Sequence, residues 1–217
     1  MGARIEGAGS ETIEIEGVAT LGGASHSIIS DRIETGTYLM AAAISGGDVR
    51  VRNAEPAHLA TLTEKLAEIG CQIDTAGEGI GLVAPVELVA RDVVTAPHPG
   101  FPTDLQAQYL ALMTQARGIA TVCETVFENR FQHVPELMRM GARIDVDGTF
   151  ARVHGPSRLS AAKVMATDLR ASACLVLAAL VADGATLIDR IYHLDRGYEA
   201  MESKLHRLGA RVERVTG

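Results

Sequence analysis

Three segments of this 217-residue chain share one pattern, and this repetition limits the possible folds more than any other feature. Each begins with Ser or Thr followed by Asp, continues as an apolar, helix-like run and ends at a glycine that opens a β-rich stretch. The three segments are SDRIETGTYLMAAAISGG, TDLQAQYLALMTQARG and TDLRASACLVLAALVADG. The spacings from Asp to Gly are 16 (31 to 47), 14 (104 to 118) and 16 (168 to 184).

A second helix follows in each segment, with the sequences LATLTEKLAEIG, VPELMRMG and YEAMESKLHRLG. In the first of these, apolar residues recur at helical spacing and would cover one face: Leu59, Leu62, Leu66 and Ile69. Gly70, Gly141 and Gly209 occupy the position of a left-handed C-cap, and strands are predicted to resume as CQIDTA, ARIDVDGTFARVHG and ARVERV. The sequence therefore predicts three α-β-α-β units.

The start of the chain repeats the end of a unit. MGARIEG at residue 1 is similar to MGARIDV at 140 and to LGARVER at 208, so Met1 stands where a helix should be ending. We expect the chain to derive from something longer whose preceding unit is missing. An independent start with accidental similarity is the alternative.

The composition excludes several classes of partner. Aromatic residues make up only 4% and Trp is absent, so stacking platforms for nucleic-acid bases are not expected. The net charge of −7 argues against a general surface for polyanions, and an anion site would have to be local. We therefore predict no nucleic-acid partner.

The cysteines and the longest apolar run bear on location. Cys71, Cys123 and Cys174 form no CxxC pair and have no His at metal-ligand spacing, which indicates reduced thiols and no metal site. The run ACLVLAALVA (173–182) is half the ~20 residues that a membrane span requires, and no signal peptide is recognisable. These features favour a cytoplasmic protein without a membrane partner.

Asp104 permits two interpretations. Thr103 and Gln106 match a capping box, and an acid in the first turn suits the helix dipole, as Ser30 and Thr167 with their neighbouring acids would in the other units. Helix initiation alone thus explains the acid. However, three of the seven prolines, at 97, 99 and 102, precede only this helix, and prolines stiffen a loop that holds a side chain in place.

Three arginines lie at equivalent helix starts. Arg170 falls in the first turn of its helix, where a cation opposes the dipole, so Asp168 or a bound phosphate or carboxylate is expected to compensate it. Arg130 and Arg196 each precede the second helix of their unit. A single arginine of this kind is usually a solvated surface residue, but three at equivalent positions favour a convergent anion site.

Several long motifs carry a specific resemblance. APHPGFPTDLQAQ, ETVFENRFQHVPELMRMGA, MATDLRASACLVLA and DRIYHLDRGYE resemble the C-terminal half of the UDP-N-acetylglucosamine enolpyruvyl transferases, which catalyse the first committed step of peptidoglycan and cell wall synthesis. The resemblance covers essentially the whole chain. It implies an inside-out α/β barrel of three pseudo-symmetric repeats with helices inside and sheets outside. It also implies transfer of the enolpyruvyl group of phosphoenolpyruvate to the 3′-hydroxyl of UDP-N-acetylglucosamine, with release of phosphate and without a metal or organic cofactor.

The resemblance also implies domains and site residues. Residues 30–217 would be the C-terminal domain, with repeats starting near 30, 103 and 167, and 1–29 a strand hairpin that completes the barrel or remains from a missing N-terminal domain. Asp104 would meet the sugar 3′-hydroxyl as the candidate base, and Val126 would touch the uridine sugar substrate through its backbone. The polar residues around the reacting groups would be Arg130, Asp168, Arg170 and Arg196, with the arginines facing phosphate and carboxylate.

One departure from the family limits the expectation. The family's N-terminal domain carries a Lys next to an Asn, further arginines and a mobile loop with a proton-donating Cys, and this chain has no match to it; LGGASHS has no Lys. We expect the chain to be part of the enzyme and inactive alone. Two alternatives remain: the shikimate-pathway enolpyruvyl transferase, and a noncatalytic binding module with the same fold.

Overall fold

The interior is formed by the first helix of each repeat. A computed structural model describes residues 1–215. In it three helices pack against one another, and most residues of each are buried. They are α1 (Arg32–Ser45), α3 (Gln106–Met113) and α5 (Leu169–Ala179). All eight residues of α3 are buried, which is the pattern of a helix surrounded by protein.

A glycine in α1 leaves room for two neighbouring leucine side chains. A Cβ at Gly36 would lie only 2.7 Å from Cδ1 of Leu105, in the turn before α3, and 2.9 Å from Cδ2 of Leu62, in the outer helix that follows α1. A larger residue at this position would have to push apart two fully buried leucines.

The second helices and the sheets lie outside this interior. The helices are α2 (Ala60–Ile69), α4 (Val134–Arg139) and α6 (Met201–Arg207). Short 3₁₀ turns span Pro56–Leu59, Thr103–Leu105 and Ile191–Arg196. The predicted apolar face at the first of these helices is confirmed, since Leu59, Leu62, Leu66 and Ile69 are at most 2% exposed.

The strands form a separate sheet for each repeat. In the first, β3 (Asp48–Val51), β5 (Ile80–Val83) and β4 (Gln72–Asp74) pair antiparallel in that order. The second has the order β6 (Val93–Val94), β7 (Gly118–Cys123), β9 (Phe150–Gly155) and β8 (Ile144–Asp147). The third pairs β10 (Lys163–Met165) with β11 (Leu187–Asp189).

Two of the interior helices are crossovers between parallel strands. The strand before α3, β6, pairs in parallel with the strand after it, β7. In the same way β10, before α5, pairs in parallel with β11, after it. Helices inside and sheets outside agree with the predicted architecture.

The glycines predicted to end the second helices are confirmed. Gly70, Gly141 and Gly209 have φ of +116°, +102° and +99°, a region that side chains with a Cβ rarely adopt. These turns release the chain from each outer helix in the same way.

Residues 1–29 stand apart from this body. They contain an antiparallel hairpin of β1 (Arg4–Glu6) and β2 (Glu14–Glu16), which forms a sheet of its own. The segment is exposed apart from half-buried Val18, and none of its residues belongs to the core.

The last predicted strand, ARVERV, is wrong. Residues 210–215 form no strand, and 216 and 217, the end of the predicted third repeat, lie outside the described residues. In the first two repeats the corresponding strand pairs with the strand that follows it, β4 with β5 and β8 with β9. Within residues 1–215 no later strand can satisfy the backbone at 210–215. Arg214 instead forms ion pairs with Asp195 and Glu202.

Within residues 1–215 no helix is both long enough and apolar enough to cross a bilayer.

Candidate active site

Two of the three repeat acids start their helices. Asp31 Oδ1 accepts from the backbone N–H groups of Ile33 (2.7 Å) and Glu34 (3.1 Å). Asp168 Oδ1 does the same for Arg170 (2.7 Å) and Ala171. The acids are therefore the N-caps, and the prediction that Ser30 and Thr167 cap these helices is wrong.

Asp104 does not cap its helix. It lies inside the 3₁₀ turn Thr103–Leu105, which has no side-chain cap, so the predicted capping box of Thr103 and Gln106 is wrong. The Thr103 hydroxyl donates to Glu124 instead. Asp104 still lies in the first turn, as predicted, but its carboxylate caps no backbone N–H group there.

The Asp104 carboxylate lies between two arginines. Nη2 of Arg130 donates to Oδ1 at 2.6 Å, and Nη2 of Arg170 donates to Oδ2 at 3.0 Å. The arginine side chains are only 12% and 19% exposed, whereas that of Asp104 is 39% exposed. Each guanidinium thus donates to a different carboxylate oxygen, and Asp104 is the most exposed side chain of the three.

The charges stabilise one another. Partial burial by itself would raise the pKa of Asp104, but Arg170 and Arg130 outweigh it and hold that pKa below its ordinary value. Burial would lower the pKa of Arg170, and Asp104 reverses this and raises it. Asp104, rather than Asp168, is the side chain that compensates Arg170 at its unfavourable place in the helix.

Arg130 also contacts an aromatic ring. Its guanidinium lies 4.7 Å from the ring centroid of Phe127, a cation–π contact that restricts its orientation. The exposed Phe127 ring and Arg130 belong to the same loop between β7 and α4.

Two other predicted residues, Asp168 and Val126, lie close in sequence to the arginines of this cluster. Asp168 lies at the start of α5 beside Arg170, with Oδ1 already used as a cap. Val126 is 44% exposed, and its N–H donates to Glu124 at 2.8 Å. Any ligand contact by its backbone would therefore use the carbonyl oxygen.

Arg196 is not part of the ion-pair cluster. It is exposed at the end of the turn Ile191–Arg196, and within residues 1–215 no carboxylate pairs with it. The adjacent Gly197 lies against Leu169 at the start of α5, with 2.8 Å between an added Cβ and Cδ2. The fold brings Arg196 to the same helix start without giving its guanidinium a protein partner.

A buried polar network lies beneath the cluster and joins all three repeats. The Tyr198 hydroxyl is 2.9 Å from Oγ1 of Thr37 in α1, and Nε2 of Gln108 in α3 donates to both oxygens at 3.2 and 3.1 Å. Gln108 also donates to the Asp104 carbonyl oxygen at 3.2 Å. The network thus reaches the backbone of the acid, and Tyr198 also acts to raise the pKa of Arg170.

His133 is a further buried group beside the site. It is 1% exposed, and its Nε2 has no partner within the described residues. Burial lowers the pKa of His133 to about 4, although Asp168 and the Arg130 backbone act in the opposite direction. His133 is therefore neutral at physiological pH and serves as packing for the Arg130 loop.

Sequence reasoning missed several of these residues. The most important are Glu124, Thr37, Gln108 and Tyr198, which have polar side chains but are at most 3% exposed. A carboxylate directly after the apolar strand IATVC was a possible signal for Glu124. Thr37 and Gln108 gave none, because they occupy helices whose apolar content alone explains burial.

The comparisons with known proteins show the family to which this chain belongs. Residues 1–205 match the family model described as EPSP synthase (3-phosphoshikimate 1-carboxyvinyltransferase), and the chain belongs to that family. More narrowly, it is 55% identical to the UDP-N-acetylglucosamine 1-carboxyvinyltransferase of Xanthobacter autotrophicus and 56% identical to that of Myxococcus xanthus. The alignments cover 100% and 99% of this chain and 51% of each relative. The chain thus spans about half the length of these curated relatives.

Solved structures confirm the predicted enolpyruvyl transferase fold. The enolpyruvyl transferase NikO from Streptomyces tendae matches with a TM-score of 0.83 and 31% identity over 98% of this chain and 51% of its own. An EPSP synthase from Acinetobacter baumannii matches with a TM-score of 0.56 and 15% identity over 75% of this chain and 39% of its own. The second likeness concerns the fold alone.

Proposed function

We propose that this chain forms one wall of the active site of a UDP-N-acetylglucosamine 1-carboxyvinyltransferase. The reaction would transfer the enolpyruvyl group of phosphoenolpyruvate to the sugar 3′-hydroxyl and release phosphate, a step of peptidoglycan synthesis. Relatives that carry this name are 54–57% identical to the chain. The observation that carries the proposal is the accessible Asp104 carboxylate between two arginines, one from its own repeat and one from the next.

We further propose that the partner of this wall is an N-terminal domain. Residues 30–217 would be the C-terminal domain, and 1–29 would be the segment that meets the partner domain rather than a part of this core. Support comes from the separate hairpin and its exposed isoleucines, Ile5, Ile13 and Ile15, which are more than half exposed and have no place in the core. The partner domain would supply the Lys and the loop Cys that the family uses.

Asp104 would act as the base that accepts the proton of the 3′-hydroxyl. While it is paired with both arginines its pKa is low, so the carboxylate is charged but only weakly basic. A phosphate or carboxylate from phosphoenolpyruvate that takes over the arginine donors would loosen these pairs, and the basicity of Asp104 would rise. Substrate anion binding would thereby prepare the base.

The arginines would bind the anionic groups and stabilise charge as it develops. Arg130 is pre-oriented by Phe127 and Arg170 by its hydrogen bond to Asp104, and preorganised donors of this kind often supply the largest catalytic contribution. Exposed Arg196 would approach the same group from the third repeat, with Asp168 beside it and the Val126 carbonyl on the nucleotide sugar. No metal or organic cofactor is required by this scheme.

The proton for the enol carbon would come from the partner domain, so we expect the isolated chain to be inactive. Cys71 and Cys174 are buried, and burial raises the pKa of both thiols, which makes them poor donors. We also propose a cytoplasmic location, a compartment that keeps unpaired thiols such as these reduced.

Anion binding by this chain tests the proposal without requiring turnover. Inorganic phosphate and phosphoenolpyruvate would be titrated into the chain while the Arg guanidinium signals are followed by NMR. Arg170→Ala should abolish the response, whereas Arg158→Ala, at a side chain 90% exposed, should leave it intact. An equal response in both variants would contradict a site at Asp104.

Two other functions remain as competitors. The shikimate-pathway reaction is disfavoured because the solved EPSP synthase is only 15% identical to the chain, against 55% for the nucleotide-sugar enzymes. A noncatalytic module would bind anions equally well but would remain inactive when it is combined with an N-terminal half.

A further inference from the structure

Glu124 is a buried carboxylate directly after β7, and the scheme above gives it no task. The residue is 3% exposed. Its Oε1 accepts from the Thr95 hydroxyl (2.8 Å) and from the backbone N–H groups of Val126 (2.8 Å) and Phe127 (3.0 Å). Its Oε2 accepts from the Thr103 hydroxyl at 2.8 Å. These four donors compensate the cost of burying the carboxylate, so its position is fixed by specific hydrogen bonds.

These bonds join two loops that are distant in sequence. The first loop, 95–103, begins at Thr95 and ends at Thr103, immediately before Asp104. The second loop begins directly after Glu124 and carries Arg130. A second link reinforces the joint, because Thr95 Oγ1 accepts from the backbone N–H of Thr125 at 2.9 Å.

The hydrogen bonds of Glu124 lie next to the contact between Asp104 and Arg130 on which the proposed site depends. Asp104, directly after the first loop, and Arg130, in the second, approach to 2.6 Å. The loop containing Arg130 has no regular secondary structure over 124–133 and is mostly exposed, so its shape depends on local hydrogen bonds. Only Glu124 bonds both to Thr103, next to the acid, and to the backbone at Val126 and Phe127, among the described side chains.

We propose that Glu124 is a positioning residue that locks the Asp104 loop to the Arg130 loop. It would act through Thr103 and through the backbone of residues 126 and 127, without touching the substrate itself. This inference rests on the proposed function for its catalytic consequence, but the locking is a property of this chain alone. A buried residue that only filled space would not need one oxygen for Thr103 and the other for the backbone of the Arg130 loop.

The first test measures the lock in this chain by amide hydrogen exchange. Glu124→Gln keeps an acceptor oxygen for the backbone N–H groups, whereas Glu124→Met has a similar length and none. We expect protection at Val126 and Phe127 to fall about tenfold or more in the Met variant, the loss typical of one hydrogen bond to a charged group, and to stay within a few-fold in the Gln variant. Protection at Ala151 and Val153 in β9 should not change, which separates a local effect from general destabilisation.

The second test addresses the link to Asp104 through matched variants of Thr103. Thr103→Ser keeps the hydroxyl, whereas Thr103→Val keeps the shape without it. In the chain combined with its N-terminal half, we expect the Val variant to lose about tenfold in kcat with a smaller change in KM, and the Ser variant to retain near-normal turnover. The Val variant also remains informative if the Met variant does not fold.

The outcomes separate this inference from the proposed function. If the combined wild-type protein shows no turnover, the proposed function fails, and amide exchange still decides whether Glu124 locks the loops. Unchanged protection at Val126 and Phe127 in a folded Glu124→Met variant would overturn the inference. So would normal kcat in Thr103→Val.

Discussion

Arg170 donates a hydrogen bond to Asp104 across 3.0 Å, although 66 positions separate the two residues and they begin the interior helices of different repeats. This contact exists only because the repeats pack with their helix starts together. It turns an acid that resembles a helix starter into the accessible member of a charged cluster.

Replacing Asp104 by Asn should affect both stability and turnover. Two largely buried arginine side chains would lose their carboxylate, and we expect a loss of about 1–3 kcal/mol in the free energy of unfolding. This is less than the 3–5 kcal/mol of a fully buried pair because Asp104 is 39% exposed. Turnover of the combined enzyme should fall on the order of a hundredfold or more. Urea unfolding and a phosphate-release assay measure the two effects.

Asp31→Asn is the matched control for this substitution. Asp31 is a true N-cap, and Asn caps as well as Asp, so the stability should change by only a few tenths of a kcal/mol. Asp104→Asn with near-normal turnover would rule out the catalytic role of the acid.

The stability contribution of Asp104 should disappear in acid. Its pKa in the folded chain is lower than the ordinary value of 3.8, so the ion pairs contribute fully above that value and are lost as the pH falls through the lowered pKa. The difference in unfolding free energy between wild type and Asp104→Asn should therefore be constant from pH 7 to about pH 5 and shrink below about pH 4. A difference that grows on acidification would contradict a lowered pKa.

Two buried tyrosines provide a matched test of the network beneath the site. Tyr198→Phe removes a hydroxyl that meets Thr37 and Gln108, and should cost about 0.5–1.5 kcal/mol. Tyr38→Phe removes a buried hydroxyl that has no partner within residues 1–215, and should be neutral or slightly stabilising. Thermal or urea unfolding of both variants checks this, and equal costs would argue against the network.

The cysteines should differ in reactivity. Burial raises the pKa of Cys71 to about 11, and burial with nearby Asp168 raises that of Cys174 further, so neither is expected to react in the folded chain. Cys123 is only half-buried on β7 and should be alkylated first. Iodoacetamide labelling at pH 8 followed by mass spectrometry reads each site, and fast labelling of Cys174 would contradict the packing of α5.

The repeat architecture was predictable because local signals specify it. The periodic apolar faces and the glycines at 70, 141 and 209 depend on neighbours within a few residues, and both appear in the structure as predicted. The prediction of a strand at 210–215 failed because a strand requires a partner strand, and local sequence does not show which strand that would be.

The site was predictable only in part, for the same reason. Arg130 and Arg170 were singled out by their positions at helix starts, but their common partner lies 26 and 66 residues away. The capping box at Thr103 was a plausible local pattern, yet its hydroxyl bonds to Glu124, 21 residues further on. Long-range partners of polar side chains decided these cases against local propensity.

The most direct test of the central claim measures phosphate release from phosphoenolpyruvate and UDP-N-acetylglucosamine. The chain would be assayed alone, and again after addition of a separately produced N-terminal half, with the Asp104→Asn chain in parallel. We predict no release by the chain alone, clear release by the combined wild-type protein, and at least a hundredfold less with Asp104→Asn. Turnover by the isolated chain, or no turnover on recombination, would contradict the account of this chain as one wall of a shared active site.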